Sequence, residues 1–287
     1  MQVPAGFLVS TEWLAERLDD PSIRIVDCRY AFDHDCREDY DAGHIPNAVY
    51  LNWEQALSDP NHPVAFMCAP AEQVAATMER IGVHDGTTLV AYDQEGGHFA
   101  ARVWIVLARH GKGDQVRILN GGWTAWTQEG RPTTTEEPAI SLPEGAHFTI
   151  HVDAAQPDVF ADAYDVLAAR TDPNAVVLDV RRYSEYTGEE VRAARGGRVP
   201  GATWLFWQGN LNWDGDRRFI DPQAIAARAA AAGIGPDTQV ITYCQGGVRA
   251  AHAALALVLA GHTNVRVYDG SWAEWGNRPD LPIETGE

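Results

Sequence analysis

The chain repeats itself. Four blocks of the first half, RIVDCRYAFD, GHIPNAVYLN, IGVHDGTTLVAYD and VRILNGGWTAW, recur in the second as VVLDVRRYSE, GRVPGATWLF, AGIGPDTQVITYC and VRVYDGSWAEW, in the same order. The offset is 152 residues from Asp27 to Asp179, 154 from Pro46 to Pro200, 151 from Tyr92 to Tyr243 and 149 from Trp123 to Trp272. Offsets this close leave room only for small loop changes, so the 287 residues must hold two copies of one fold. Between the copies, QEGRPTTTEEPAISLPEGAHF gathers Pro, Thr and Glu without periodicity, as a linker does. The expected division is a first domain over 1–130, a linker over 131–148 and a second domain over 149–287.

Within each copy, short β-branched runs (IRIVD, TTLVAY, VRIL; AVVLD, QVITY, VRVY) alternate with helical patterns such as PAEQVAATMERIG and PQAIAARAAAAGIG. Strands that alternate with helices argue for α/β units, each a parallel sheet covered on both faces. Gly82 and Gly233 stand where C-terminal helix caps belong, just before the next strand. In open parallel sheets ligands bind beyond the carboxyl ends of the strands. Tyr92-Asp93 and Tyr243-Cys244 both stand at such ends, so the repeat makes Asp93 and Cys244 equivalent and gives a thiol to the second copy only.

Composition narrows the partners. Forty acidic against twenty-two basic residues give a formal charge of −18, a field that repels nucleic acid and anionic membrane surfaces. Lys112 is the single lysine, so a local anion site would be built from arginine, whose planar fork is permanently charged. The N-terminal residues lack a basic stretch followed by an apolar core, and the apolar run near 250–260 is short of the ~20 residues that cross a bilayer. Cys28, Cys36, Cys68 and Cys244 form no C-x-x-C pair and no metal-finger spacing, so neither a disulfide framework nor a structural metal is expected. A cytoplasmic protein without cofactor or metal is the expectation.

The stretch VITYCQGGVRAAH then stands out. Cys244 is followed by Gln245, Gly246, Gly247, Val248 and Arg249, between a strand end and a helix start. Two glycines let the backbone curl so that successive N–H groups turn inward, and the helix adds its positive end. A thiol so placed, with Arg249 nearby, is expected to act as a nucleophile. Buried cysteines are ordinarily small hydrophobes, and that reading suits Cys28, Cys36 and Cys68. A cysteine phosphatase would also use such a cradle, but its signature has five residues between Cys and Arg, and here four intervene.

On VDCRY and LDVRR, GHIPNA and RVPGA, NGGW and DGSWAEW, and above all YCQGGVRAAH, the chain resembles the two-domain rhodanese family of thiosulfate and 3-mercaptopyruvate sulfurtransferases along nearly its whole length. The resemblance implies tandem rhodanese-like α/β domains, an inactive first copy with Asp93 in place of cysteine, and a catalytic second copy. It implies that Cys244 takes the outer sulfur of a small anionic donor as a persulfide and passes it to a thiophilic acceptor, cyanide or a thiol, including a protein thiol, without a cofactor. Neutral Gln245 and Gly246 depart from the basic residues of many thiosulfate enzymes; Arg249, able to grip a sulfonate-like group, favours thiosulfate over 3-mercaptopyruvate. A persulfide carrier is the further alternative. Asp179, Arg181, Arg182 and Trp207 are candidate pocket residues, with Trp204 at the mouth, although Asp27 and Asp179 also suit bracing roles. Glu185 stands where some relatives carry a substrate-side arginine.

Overall fold

The computed structural model describes residues 1–150 and 158–286. The first half contains strands β1 (Leu8–Val9), β2 (Ile23–Asp27), β3 (Ala48–Tyr50), β4 (Thr88–Tyr92) and β5 (Val116–Leu119). The second contains β6 (Phe160–Ala161), β7 (Ala175–Asp179), β8 (Thr203–Trp204), β9 (Gln239–Tyr243) and β10 (Val265–Tyr268). The sheet orders are β1-β5-β4-β2-β3 and β6-β10-β9-β7-β8, the same sequence twice, and every pairing is parallel. Two α/β domains of one topology follow, as the repeat required. Each internal strand read from a β-branched run is present, and Gly82 and Gly233 take the left-handed conformation that ends the preceding helices, at φ 77° and 80°.

Register explains why the repeated blocks resist change. Asp27 pairs beside Tyr92, and Asp179 beside Tyr243. In both copies the aspartate holds the arginine two residues on: Arg29 Nη2 lies 2.7 Å from Asp27 Oδ2, and Arg181 Nη2 lies 2.6 Å from Asp179 Oδ2. The same guanidinium donates to a loop carbonyl, Gly43 or Gly197, and stacks over Trp123 or Trp272. The brace ties strand, loop and terminal helix together with every buried charge paired.

The stretch read as linker begins as part of the repeat. RPTTTEE over 131–137 parallels LPIETGE over 281–287. Trp126 Nε1 donates to the Pro132 carbonyl and Trp275 Nε1 to the Pro282 carbonyl. Thr134 bridges to His44 as Glu284 bridges to Arg198. The contacts common to both straps run through their backbones, while side chains such as Glu284, paired with Arg198, differ between the copies. The opening residues of the expected second domain, 151–157, lie outside the described residues.

The halves meet along the helices His98–Arg109 and Val248–Leu259, which pack on each other. This explains why the alanine-rich helix is apolar all round: one side meets its own sheet and another meets the partner helix. A single apolar cluster accordingly runs through both halves, from Trp53 and Trp104 to Trp207 and Leu255. Within it Arg102 is fully buried and crosses the boundary to pair with Asp269, which also accepts the Cys68 N–H at 2.8 Å. No helix among the described residues is long and apolar enough to cross a membrane.

Candidate active site

Cys244 follows directly on β9 and is 1% exposed. The next helix starts at Val248 after Gly247, whose φ of 80° provides the turn that a side chain would strain. Ser271 holds the loop from behind. Its hydroxyl accepts from the N–H groups of Cys244 and Gly247, both at 3.1 Å, and donates to the Tyr268 carbonyl at 2.8 Å. The carbonyls of Cys244 and Gln245 accept from Trp272 and Ala273.

The first copy displays what such a loop holds. The Asp93 carboxylate accepts from the N–H groups of Glu95 (2.7 Å), Gly97 (3.0 Å), Phe99 (2.6 Å) and Ala100 (2.9 Å). Burial pushes this carboxyl up from its ordinary value, and the backbone donors pull it back. Gly97 and Gly247 are the equivalent caps, so Phe99 and Ala100 correspond to Arg249 and Ala250. The first loop is therefore an anion site filled by the chain's own carboxylate; the second loop is one residue shorter, and the N–H of Gly247, the counterpart of Gly97, donates to Ser271.

Arg249 does not extend a free fork. Its Nη1 and Nη2 lie 2.7 and 2.9 Å from the two oxygens of Glu185, which is fully buried. Burial works to raise the Glu185 carboxyl, but the hydrogen bonds and charge of Arg249, with help from Arg181, hold it at about 2. Glu185 thus anchors an arginine in place of acting on a ligand. Arg181 and Asp179, candidates for the pocket, are spent on each other in the brace and do not line the cleft. Arg182 does line it, as do Gln245, Gly246, Val248 and Trp207; Gly247 turns behind the lining. Trp204 is 36% exposed and donates to the Arg181 carbonyl, outside the cleft.

The cleft encloses about 610 Å³, and its opposite wall belongs to the first domain: Tyr30, Phe32, Asp33, Phe66, Glu95 and His98. Sequence reasoning missed this wall because no motif joins it to Cys244. Phe66, in a left-handed conformation at φ 65°, packs so closely on the loop that a Cβ on Gly246 would lie 2.7 Å from its ring. Arg192, also missed, adds a second guanidinium beside Arg182. Ser271 was legible in principle, since NGGW against DGSW puts serine opposite Gly122. One group of metal-ligating type, His34, Cys36 and Asp39, occurs among the described residues, with donor atoms within 4.8 Å of one another.

Tandem parallel α/β domains with a cysteine nested at one strand end define a class, and the comparisons supply its family. The rhodanese-like domain model matches residues 10–129 and again 162–278. The chain is 35% identical to the 3-mercaptopyruvate sulfurtransferase of Escherichia coli K12 over 97% of its own length and 98% of that protein's. It is 34% identical to the thiosulfate sulfurtransferase of Corynebacterium glutamicum, covering 98% and 91%, and 34% identical to the sulfur carrier protein TtuD of Thermus thermophilus, covering 98% and 97%. Among solved structures, the anaerobic ergothioneine biosynthesis enzyme from Chlorobium limicola, in complex with trimethyl histidine, aligns with a TM-score of 0.84 at 26% identity, covering 98% of this chain and 71% of that one. The chain belongs to the rhodanese family of sulfurtransferases.

Proposed function

We propose that this protein moves a sulfane sulfur from thiosulfate, through a persulfide on Cys244, to cyanide or a thiol. The observation that carries this reading is the relation between the two loops. In the first copy four backbone N–H groups bind the Asp93 carboxylate, and the second copy sets Cys244 at the equivalent strand end, before a helix whose Gly247 cap matches Gly97. Such a nest favours negative charge on Sγ and then on the outer sulfur of the persulfide. In the first half-reaction Sγ attacks the outer sulfur of thiosulfate, and sulfite leaves with the electron pair of the broken S–S bond. In the second, the acceptor takes the outer sulfur and Sγ keeps the electrons. Asp179, Arg181 and Gly247 support the loop from behind, while Gln245, Gly246, Val248 and Trp207 shape the cleft.

Arg249 is held by Glu185 in a close two-pronged pair, whereas Arg192 and Arg182 reach Glu185 and Glu190 only at 3.5 and 3.6 Å, so the donor's sulfonate falls first to these two at the cleft. The same engagement favours a second reading, 3-mercaptopyruvate, since the free fork that argued for thiosulfate is occupied and Gln245 and Gly246 are neutral. The acceptor thiol is a small molecule or belongs to a protein. Four free cysteines suit a reducing compartment such as the cytoplasm. Steady-state thiocyanate formation from cyanide, with each donor in turn, tests the proposal. The expected result is turnover with thiosulfate that falls to background in Cys244→Ala. Undiminished turnover in that variant would sink the persulfide, and a large preference for 3-mercaptopyruvate would overturn the donor.

A further inference from the structure

The wall opposite Cys244 carries a group that the sulfur chemistry has not yet used. His98 opens the helix His98–Arg109, and its ring is held by Phe99 and Trp207, with centroids 4.3 and 4.5 Å away. Nδ1 lies 2.7 Å from Glu95 Oε2. A carboxylate only accepts, so Nδ1 carries the hydrogen and neutral His98 keeps a lone pair on Nε2. That Nε2 is itself buried and has no hydrogen-bond partner, although the ring, 8% exposed, lines the cleft. A buried polar atom left unpaired is costly and calls for an explanation.

The surroundings supply one. His98 and Glu95 line the same cleft as Cys244. Burial tends to raise the Glu95 carboxyl, but His98, Arg217 and Arg249 together hold it below its ordinary value; the reach of Arg249 joins the pair electrostatically to the cysteine loop. Asp93 is the other carboxylate near the ring. His252, packed against Trp207 and Phe219, is pushed down by burial to about 3 and stays neutral.

We propose that His98, oriented by Glu95, carries the proton of the second half-reaction when the acceptor is a thiol. This rests on Cys244 forming the persulfide. The acceptor's S–H proton passes to Nε2, and the thiolate attacks the outer sulfur. The S–S bond to Cys244 breaks, its electron pair stays on Sγ, and a new S–S bond forms on the acceptor. Nε2 then returns the proton to the transferred sulfur, so thiol plus persulfide anion gives a released hydropersulfide plus the Cys244 thiolate, with no other reactant. Cyanide, used as its anion at alkaline pH, brings no proton to move. His98 is thus a catalytic residue for thiols, and Glu95 is a positioning residue.

The test compares kcat/KM for dithiothreitol with that for cyanide anion, using thiosulfate as donor. In His98→Ala the thiol-to-cyanide ratio is expected to fall roughly a hundredfold, with partial recovery of thiol turnover on adding imidazole. Glu95→Gln is expected to lower the same ratio roughly tenfold. Equal losses with both acceptors would mean that the ring only packs the wall, and would overturn the assignment. Sulfite released per protein in a single turnover separates the two proposals. No persulfide in the wild type defeats the proposed function, whereas normal persulfide formation with an unchanged ratio defeats the role of His98 alone.

Discussion

The two copies share a topology and differ at one loop, which in the second is a residue shorter and differently filled. In the first, the nest holds the Asp93 carboxylate, Phe99 occupies the position of Arg249, and Gly122 stands where the second copy has Ser271. Phe99 is buried against Tyr30 and Trp53. In the second, Cys244 stands at the strand end, a buried ion pair replaces the aromatic, and a hydroxyl ties the loop. A loop shorter by one residue and a few side-chain exchanges separate the self-satisfied copy from the one that carries Cys244. The satisfied copy remains useful, because its loop and helix start provide Glu95 and His98 as the far wall of the cleft. Duplication has divided one site between two domains.

The sharpest way to break this comparison is to empty both nests. Cys244→Ala removes a small buried group and is expected to cost about 1 kcal/mol of stability while ending turnover. Asp93→Ala strips four buried N–H groups of their acceptor and is expected to cost about 4 kcal/mol. Urea unfolding of the two variants measures this. Equal losses would mean that the first loop holds together without its carboxylate, and that the two nests do not differ as described.

Much of this was legible from residues that act locally. β-branched runs set the internal strands, and Cys244 with its glycines marked the loop to which the proposed chemistry is assigned. What stayed hidden acts over long separations. Arg249 and Glu185 are 64 positions apart, so nothing in CQGGVR announces that the guanidinium is already engaged. Arg181 looked available because it follows a strand end, yet the carbonyl that captures it comes from Gly197 on a distant loop. His98 reads as the polar start of a helix until the domains close and set its ring against Trp207. Pairings between neighbours in sequence follow from pattern; those between distant loops of one copy, and those across copies, depend on tertiary packing that no local pattern encodes.

A second break in the comparison concerns acid. Beside its loop the second copy buries the Arg249–Glu185 pair, where the first copy has Phe99. Glu185, ordinarily near 4.5 and held at about 2 in the folded chain, binds fewer protons when folded than when unfolded at intermediate pH. Its contribution is therefore complete above about 4.5 and is lost as pH falls towards about 2. It amounts to the order of 3 kcal/mol. In Glu185→Gln the stability of the protein, followed by urea unfolding between those limits, should fall less steeply than in the wild type. Parallel curves would show that the pair adds nothing that acid removes.

The smallest effect, and the finest test of equivalence, lies at Gly122 and Ser271. Both adopt left-handed backbones, at φ 54° and 49°. Ser271 tolerates this because its hydroxyl satisfies two loop N–H groups and the Tyr268 carbonyl. The first copy cannot accept the same residue: a Cβ at Gly122 would stand 2.1 Å from the Asp93 carbonyl oxygen. Gly122→Ser is expected to cost about 2 kcal/mol with no gain in turnover. Ser271→Gly relieves the backbone but frees the N–H groups of Cys244 and Gly247, so the costs partly cancel at about 1 kcal/mol. The loosened loop should still lower kcat several-fold, on the order of the single hydrogen bonds lost. Thermal unfolding and thiocyanate turnover on the two variants separate strain from positioning. If Ser271→Gly keeps full turnover, the hydroxyl fills a space behind the loop and does not aim it.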